Sequence, residues 1–168
     1  MSAGAPAARW VVMGVSGCGK SAVGSLLAEA LKVPYVEGDD VHPPENVAKM
    51  AAGIPLDDAD RAGWLAALRA RIATARAQGG GLVVSCSALK RAYRDLLREG
   101  DPALRFAHLH GRREVLARRM RRPGHFMPPS LLDSQLRTLQ PLQPDEAGIV
   151  LDIGQPLAVL VAQILQAP

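Results

Sequence analysis

Apolar residues fall into short blocks along the chain, separated by stretches whose apolar positions recur at helical spacing. Arg9 to Val15 carries the run Trp10, Val11, Val12, Met13 and reads as a short buried strand. It is followed by a glycine-rich turn and an Ala/Leu-rich stretch, Ser21 to Leu31, that reads as a helix. Val33 to Val36 predicts a brief second strand. Glu45 to Ala52 and Asp60 to Ala77 predict helices, with Pro44 in the first turn of one and Asp60 as candidate N-cap of the other. Gly79, Gly80 and Gly81 stop the longer helix. Leu82 to Ser85 predicts a strand, Ala88 to Arg98 a helix, Arg105 to Leu109 a strand and Glu114 to Arg121 a helix. Ile149 to Ile153 is the last strand, ahead of a C-terminal helix. Strands alternating with helices imply a five-stranded parallel sheet covered on both faces, in which ligands gather at the carboxyl ends of the strands. No internal repeat, long linker or low-complexity tract divides residues 1–168, so one domain is expected.

The composition fits that picture. The chain has 168 residues, 48% apolar, 21% charged and 4% aromatic, with a mean hydropathy of +0.06. No apolar run approaches the roughly 18 residues of a membrane span. Met1 to Trp10 holds a single Arg and passes straight into the first strand, so the expectation is a cytoplasmic protein without a cleaved leader, and no membrane partner. Two cysteines, Cys18 and Cys86, exclude a disulfide scaffold, and neither has a second Cys or a His at metal-ligand spacing.

The net charge of +4 invites a nucleic-acid reading, but its distribution opposes it. Residues 112 to 122 hold six arginines (Arg112, Arg113, Arg118, Arg119, Arg121, Arg122) against one acid, Glu114, a net +5 that leaves the rest of the chain at −1. So local a cluster suits a small polyanion better than a duplex, and aromatic residues to stack bases are nearly absent. No nucleic-acid partner is expected.

Gly14, Val15, Ser16, Gly17, Cys18, Gly19, Lys20, Ser21 match GxxxxGK[ST] without exception, between a predicted strand and a predicted helix. The glycines allow successive N–H groups to turn inward around a phosphate at the positive end of the following helix. Lys20 is then placed for the β- and γ-phosphates, and the Ser21 hydroxyl for Mg²⁺. Guanine recognition of the NKxD type is excluded, because the single Asn, Asn46, is followed by Val47. A motor ATPase is disfavoured because Leu82 to Val84 ends in Ser85 and Cys86 rather than an acid. Asp152 does follow an apolar run, but so late in the chain that it reads as structural or near the nucleotide base.

After the second strand comes GDDVHPPENVAKM, Gly38 to Met50. A carboxylate here, Asp39 or Asp40, lies beside the γ-phosphate, where it can accept a proton from an attacking hydroxyl or hold Mg²⁺ through water. The alternative for either is an N-cap of a short turn. His42 is a candidate partner for a hydroxylated substrate.

These segments resemble the thermoresistant-type gluconokinases, small P-loop kinases that phosphorylate D-gluconate at its 6-hydroxyl with ATP. The resemblance is carried by MGVSGCGKS (Met13 to Ser21), GDDVHPPENVAKM (Gly38 to Met50) and GIPLDDADRAGWL (Gly53 to Leu65). It continues through CSALKRAYRDLLR (Cys86 to Arg98) and GHFMPPSLLDSQ (Gly124 to Gln135), so that it spans the chain from the first strand through the lid. Two departures are visible: Cys18 stands where Ser is more usual, and Gln140 where Glu is common.

The resemblance implies a P-loop kinase fold with a small helical lid over roughly residues 113–140, ATP and Mg²⁺ as cofactors, gluconate as substrate and a homodimer. It also implies a carbohydrate acid catabolism that feeds the pentose phosphate route. Gluconate, a carboxylate with five hydroxyls, needs cationic forks and mixed donors and acceptors. Arg61, Lys90 and Arg94 supply the first, and His42, Asp39 and Ser87 the second, with His125 against substrate or lid. In the lid, Arg119 is the candidate to pack on adenine and Arg122 to reach the transferred phosphate, while Arg118 pairs with Glu114 at i,i+4 spacing. Pro123 and Gly124 would form a lid hinge. The catalytic assignment is therefore Lys20, Asp39 and Arg122, with Ser21 and Asp39 on the metal. Two rival readings stand beside it: a P-loop kinase for another polyol or acid, and a non-catalytic nucleotide- or nucleic-acid-binding protein.

Overall fold

The computed structural model describes residues 7–121 and 130–168. Five parallel strands form one sheet in the order β2-β3-β1-β4-β5. They are β1 (Arg9–Met13), β2 (Tyr35–Glu37), β3 (Leu82–Ser85), β4 (Arg105–His110) and β5 (Gly148–Asp152). The helices are α1 (Lys20–Leu31), α2 (Pro44–Ala51), α3 (Asp58–Ala77), α4 (Arg91–Arg98), α5 (Arg113–Met120), α6 (Ser130–Thr138) and α7 (Leu157–Leu165). The expected sheet of five parallel strands with helices on both faces is found, and β1, carrying the glycine-rich turn, is its central strand.

The period of two along β1 divides the core. Trp10 and Val12 face one side with Val23 and Leu27 of α1 and Leu160, Val161 and Ile164 of α7. Val11 and Met13 face the other with Trp64, Leu65, Leu68 and Ile72 of α3 and Tyr93 and Leu97 of α4. Both faces of the strand are closed off from water, which is why it reads as a continuous apolar run. No helix among the described residues is long and apolar enough to cross a membrane.

Element ends differ from the sequence reading where side chains decide them. The long helix begins at Asp58 with Asp57 as N-cap. Asp60 is the third helical residue, its carboxylate accepting from the Asp57 N–H at 3.0 Å while Asp57 accepts from the Asp60 N–H at 2.7 Å. This reciprocal box corrects Asp60 as the cap. Helix α4 starts at Arg91 rather than Ala88, because Ala88 has φ 45° and Lys90 is extended. A 3-10 turn over Gly38–Val41 follows β2 directly, so the acidic segment leaves the sheet in a tight turn. Gly38 is needed there, since a Cβ would lie 2.0 Å from the Ser85 carbonyl oxygen of the neighbouring strand.

Candidate active site

The carboxyl ends of β1, β2 and β3 open onto one pocket. It is lined by Ser16 and Lys20 of the glycine-rich loop, Asp39 and His42 of the acidic turn, Arg61 and Trp64 of α3, Ser87 after β3, and Leu131, Ser134 and Gln135 of α6. The loop, the acidic turn and α6 thus meet around a single space.

Gly14, Gly17 and Gly19 have φ of 146°, 83° and 95°. Gly19 is the residue before α1 and takes a left-handed conformation that any other residue would adopt only under strain. It points the first N–H groups of α1 into the loop, where an anion is favoured. Lys20 Nζ donates to the carbonyl oxygens of Gly14 (3.0 Å) and Val15 (3.1 Å), so the cation lies across the loop. Cys18 is buried inside it, and a side chain on Gly14 would strike its Sγ at 2.7 Å. The small thiol fits where the resemblance expects Ser.

Beside the loop, one carboxylate gathers three hydroxyls. Glu37, the last residue of β2, accepts from Ser21 Oγ, from the Tyr35 hydroxyl at 2.7 Å and from Ser85 Oγ at 2.8 Å. Burial alone would raise its pKa, but these donors, Ser21 foremost, outweigh burial and hold it below the usual carboxylate range. Burial pushes the Tyr35 hydroxyl up to about 12, so it stays a donor. Glu37 is absent from the sequence reading. Its signal is an acid closing an apolar strand, carried here by the second strand.

His42 stacks on Trp64 with ring centroids 4.1 Å apart and planes 15° apart. Burial, reinforced by the Arg61 cation, lowers its pKa to about 4, so the ring is neutral. Trp64 also donates from Nε1 to the Gly38 carbonyl oxygen at 2.8 Å, tying α3 to the acidic turn. Arg61 donates to the Tyr93 hydroxyl at 2.9 Å, and Tyr93 in turn donates to Asp58. Asp39 lines the pocket, whereas Asp40 is exposed.

Not every expected contact is in place. Arg94 is fully buried, 0% exposed, with Nε 2.7 Å from Glu146 and Nη1 donating to the Ala88 carbonyl oxygen at 2.8 Å. It props the loop between β3 and α4 from behind and does not line the pocket, which corrects its assignment to substrate. Lys90 turns to Asp58 at 3.0 Å and lies over the Tyr93 ring, beside Arg61 rather than in the pocket. Gln140 accepts from the Arg91 N–H at 2.8 Å and so serves as an acceptor at the start of α4, which an amide does as well as a carboxylate. Asp152 accepts from the Gly154 N–H at 2.8 Å, in keeping with a structural role.

In the basic cluster, Arg119 reaches the Cys18 carbonyl oxygen at 3.4 Å and the Ile153 carbonyl oxygen at 3.2 Å, against the outer side of the phosphate loop. Arg113 pairs with Asp133 of α6 at 2.6 Å. Arg122, Pro123, Gly124 and His125 lie outside the described residues. Gln135 was unforeseen: its Oε1 accepts from the Ser16 N–H at 2.7 Å, joining α6 to the loop.

A hard divalent cation suits this donor set. Ser21 and Glu37 offer oxygens at the mouth of the phosphate loop, and Mg²⁺ takes few protein oxygens and the rest from phosphate and water. Among the described residues no group of three or more His, Cys, Asp or Glu forms a separate metal site. Cys86 is inert, because burial raises its thiol pKa to about 12.

Comparison with known proteins agrees with this geometry. The family model described as shikimate kinase matches residues 16–143. The thermoresistant gluconokinase of Escherichia coli (strain K12) is 48% identical over 160 residues, covering 94% of this chain and 91% of that protein. The crystal structure of a gluconokinase from Sinorhizobium meliloti 1021 superposes with a TM-score of 0.86 at 52% identity, over 96% of this chain and 91% of that one. An unliganded sugar kinase from Janibacter sp. HTCC2649 gives a TM-score of 0.92 at 48% identity, over 96% and 94%.

Proposed function

The chain belongs to the gluconokinase family, within the wider shikimate kinase group of P-loop kinases, and on that premise we propose that it moves the γ-phosphoryl of ATP to the 6-hydroxyl of D-gluconate. The observation that carries the reading is the convergence of Lys20, Asp39, His42 and Arg61 on one pocket. That convergence supports a reading in which a phosphate cation, a base, a neutral ring and a guanidinium surround a single acceptor.

Each residue has a part in a direct in-line transfer. The loop amides and Lys20 hold the phosphates and offset charge on the moving phosphoryl group. Asp39 orients the 6-hydroxyl and takes its proton. Arg61 meets the substrate carboxylate, with its guanidinium steadied by Tyr93, and His42 and Ser87 meet hydroxyls. Arg119, held beside the loop by the Cys18 and Ile153 carbonyl oxygens, packs on adenine. Arg122 and His125 complete the lid in this proposal, and closure excludes water that would otherwise accept the phosphoryl group. Ser21, Glu37 and Asp39 are the residues to hold Mg²⁺, directly or through water. Bound there, the ion neutralises phosphate charge.

The reading extends to a cytoplasmic homodimer. The product tests the chemistry: phosphorus–proton correlation by NMR should place the new phosphoester on carbon 6 of gluconate. An ester at any other carbon, or none, would overturn the assignment.

A further inference from the structure

Asn46 is the single asparagine of the chain and is 3% exposed, on the first turn of α2. Its Nδ2 donates to the Asp60 carbonyl oxygen at 2.8 Å and lies 3.2 Å from His42 Nδ1. The first contact fixes the amide, because a backbone carbonyl can only accept and the side-chain oxygen therefore cannot face it. The second hydrogen of the same NH₂ is then left for His42 Nδ1, which must present a lone pair to it. A neutral imidazole carries one proton, so that proton sits on Nε2. Trp64, stacked 4.1 Å away, holds the ring plane, and Nε2 is the nitrogen left to the pocket that His42 lines.

We propose that Asn46 is a positioning residue that locks His42 as the Nε2–H tautomer, making the histidine an obligate hydrogen-bond donor to an oxygen of the polyhydroxy-acid substrate. The proposal rests on the substrate reading above for the identity of that oxygen, but not for the tautomer. The same amide links the two halves of the substrate side. Asp60, whose carbonyl it holds, precedes Arg61, and Lys49, one turn further along α2, binds the Asp60 carboxylate at 2.9 Å. The spacing of His42, Asn46 and Lys49 thus sets the acidic turn against the start of α3, and fixes His42 relative to Arg61. A donor at this position selects substrates that offer a lone pair there, and disfavours an analogue carrying only C–H at that carbon.

Nitrogen-15 NMR of the imidazole, in the full-length protein without nucleotide or substrate, reads the tautomer directly. Wild-type His42 should show an unprotonated Nδ1 and a protonated Nε2. Asn46→Ala should mix the two tautomers and raise KM for gluconate about tenfold, the loss of one well-placed hydrogen bond, with KM for ATP unchanged. Asn46→Asp, which can accept from the ring, should shift the proton to Nδ1. A protonated Nδ1 in the wild-type protein would overturn the proposal, and this measurement needs no variant to fold. An unchanged tautomer and unchanged KM in a folded Asn46→Ala protein would overturn it equally. If wild-type protein shows the Nε2–H tautomer but no turnover with gluconate, the substrate reading fails and the tautomer assignment stands.

Discussion

Arg94 and Glu146 are both fully buried and lie 2.7 Å apart, their side chains 0% exposed. Arg98 joins the same carboxylate at 2.8 Å and the Gln143 N–H donates to it at 2.8 Å. This cluster ties α4 to the segment before β5 and holds up the loop that carries Ser87. Breaking one side leaves an unpaired buried charge, so Glu146→Ala should lose about 3–5 kcal/mol of stability. Replacing Arg94 and Glu146 together by Met and Leu should recover most of it. Denaturant unfolding of the three variants checks this, and a double variant as unstable as Glu146→Ala would contradict it.

The same pair sets an acid limit. Burial alone would raise the Glu146 pKa, but Arg94, the Gln143 N–H and Arg98 outweigh it and bring it down to about 2. Because the folded pKa lies below the ordinary 4.5, the stabilisation is present above pH 4.5 and fades as pH falls toward 2. His108 acts at higher pH. It is 3% exposed and its Nδ1 lacks a partner among the described residues. Burial, with His110, Arg94 and Lys20 adding to it, lowers its pKa to about 4. The unfolded chain binds this proton first, so stability should fall by up to about 3 kcal/mol between pH 6.5 and 4 and no further from this group below that. His108→Leu should flatten that part of the stability–pH profile.

Lys20→Ala should cut kcat by about a hundredfold or more with the fold intact, since the proposed transfer relies on Lys20 to offset charge at the moving phosphoryl group. Asp39→Asn should lower kcat by about 10²- to 10⁴-fold while KM for ATP barely changes. Steady-state kinetics with circular dichroism as a fold control checks both. An unaltered kcat in Asp39→Asn would remove the base from that position.

Glu37→Gln should raise the Mg²⁺ concentration for half-maximal turnover by about ten- to a hundredfold, because the carboxylate oriented by Tyr35 and Ser85 is what the Ser21 hydroxyl meets. A Mg²⁺ titration of the two proteins tests it.

Much of this was legible in the sequence because it is local. The motif from Gly14 to Ser21 sits between an apolar run and a helical repeat, so the strand, loop, helix and phosphate site could be placed from adjacent residues. The parallel sheet followed from five apolar blocks alternating with helices. What escaped was set by distance along the chain. Arg94 reads as a cation for the substrate until Glu146, 52 residues away, is brought against it. Glu37 gains its meaning from Ser21, Tyr35 and Ser85, which only the order β2-β3-β1 brings together. Asp60 reads as the cap of the long helix, yet it is Asp57 that caps, because the choice depends on backbone geometry that composition does not specify. Lys90 was drawn to the site by its segment, but the exposed Asp58 holds it at the rim.

The most direct test of the account is ADP release with MgATP against gluconate, shikimate, glycerate, several sugars and a nucleoside monophosphate, each with a control lacking acceptor. Strong turnover with gluconate and little with the others is the expected result. Turnover with shikimate or another acceptor in its place, or ADP release indifferent to any acceptor, would contradict it.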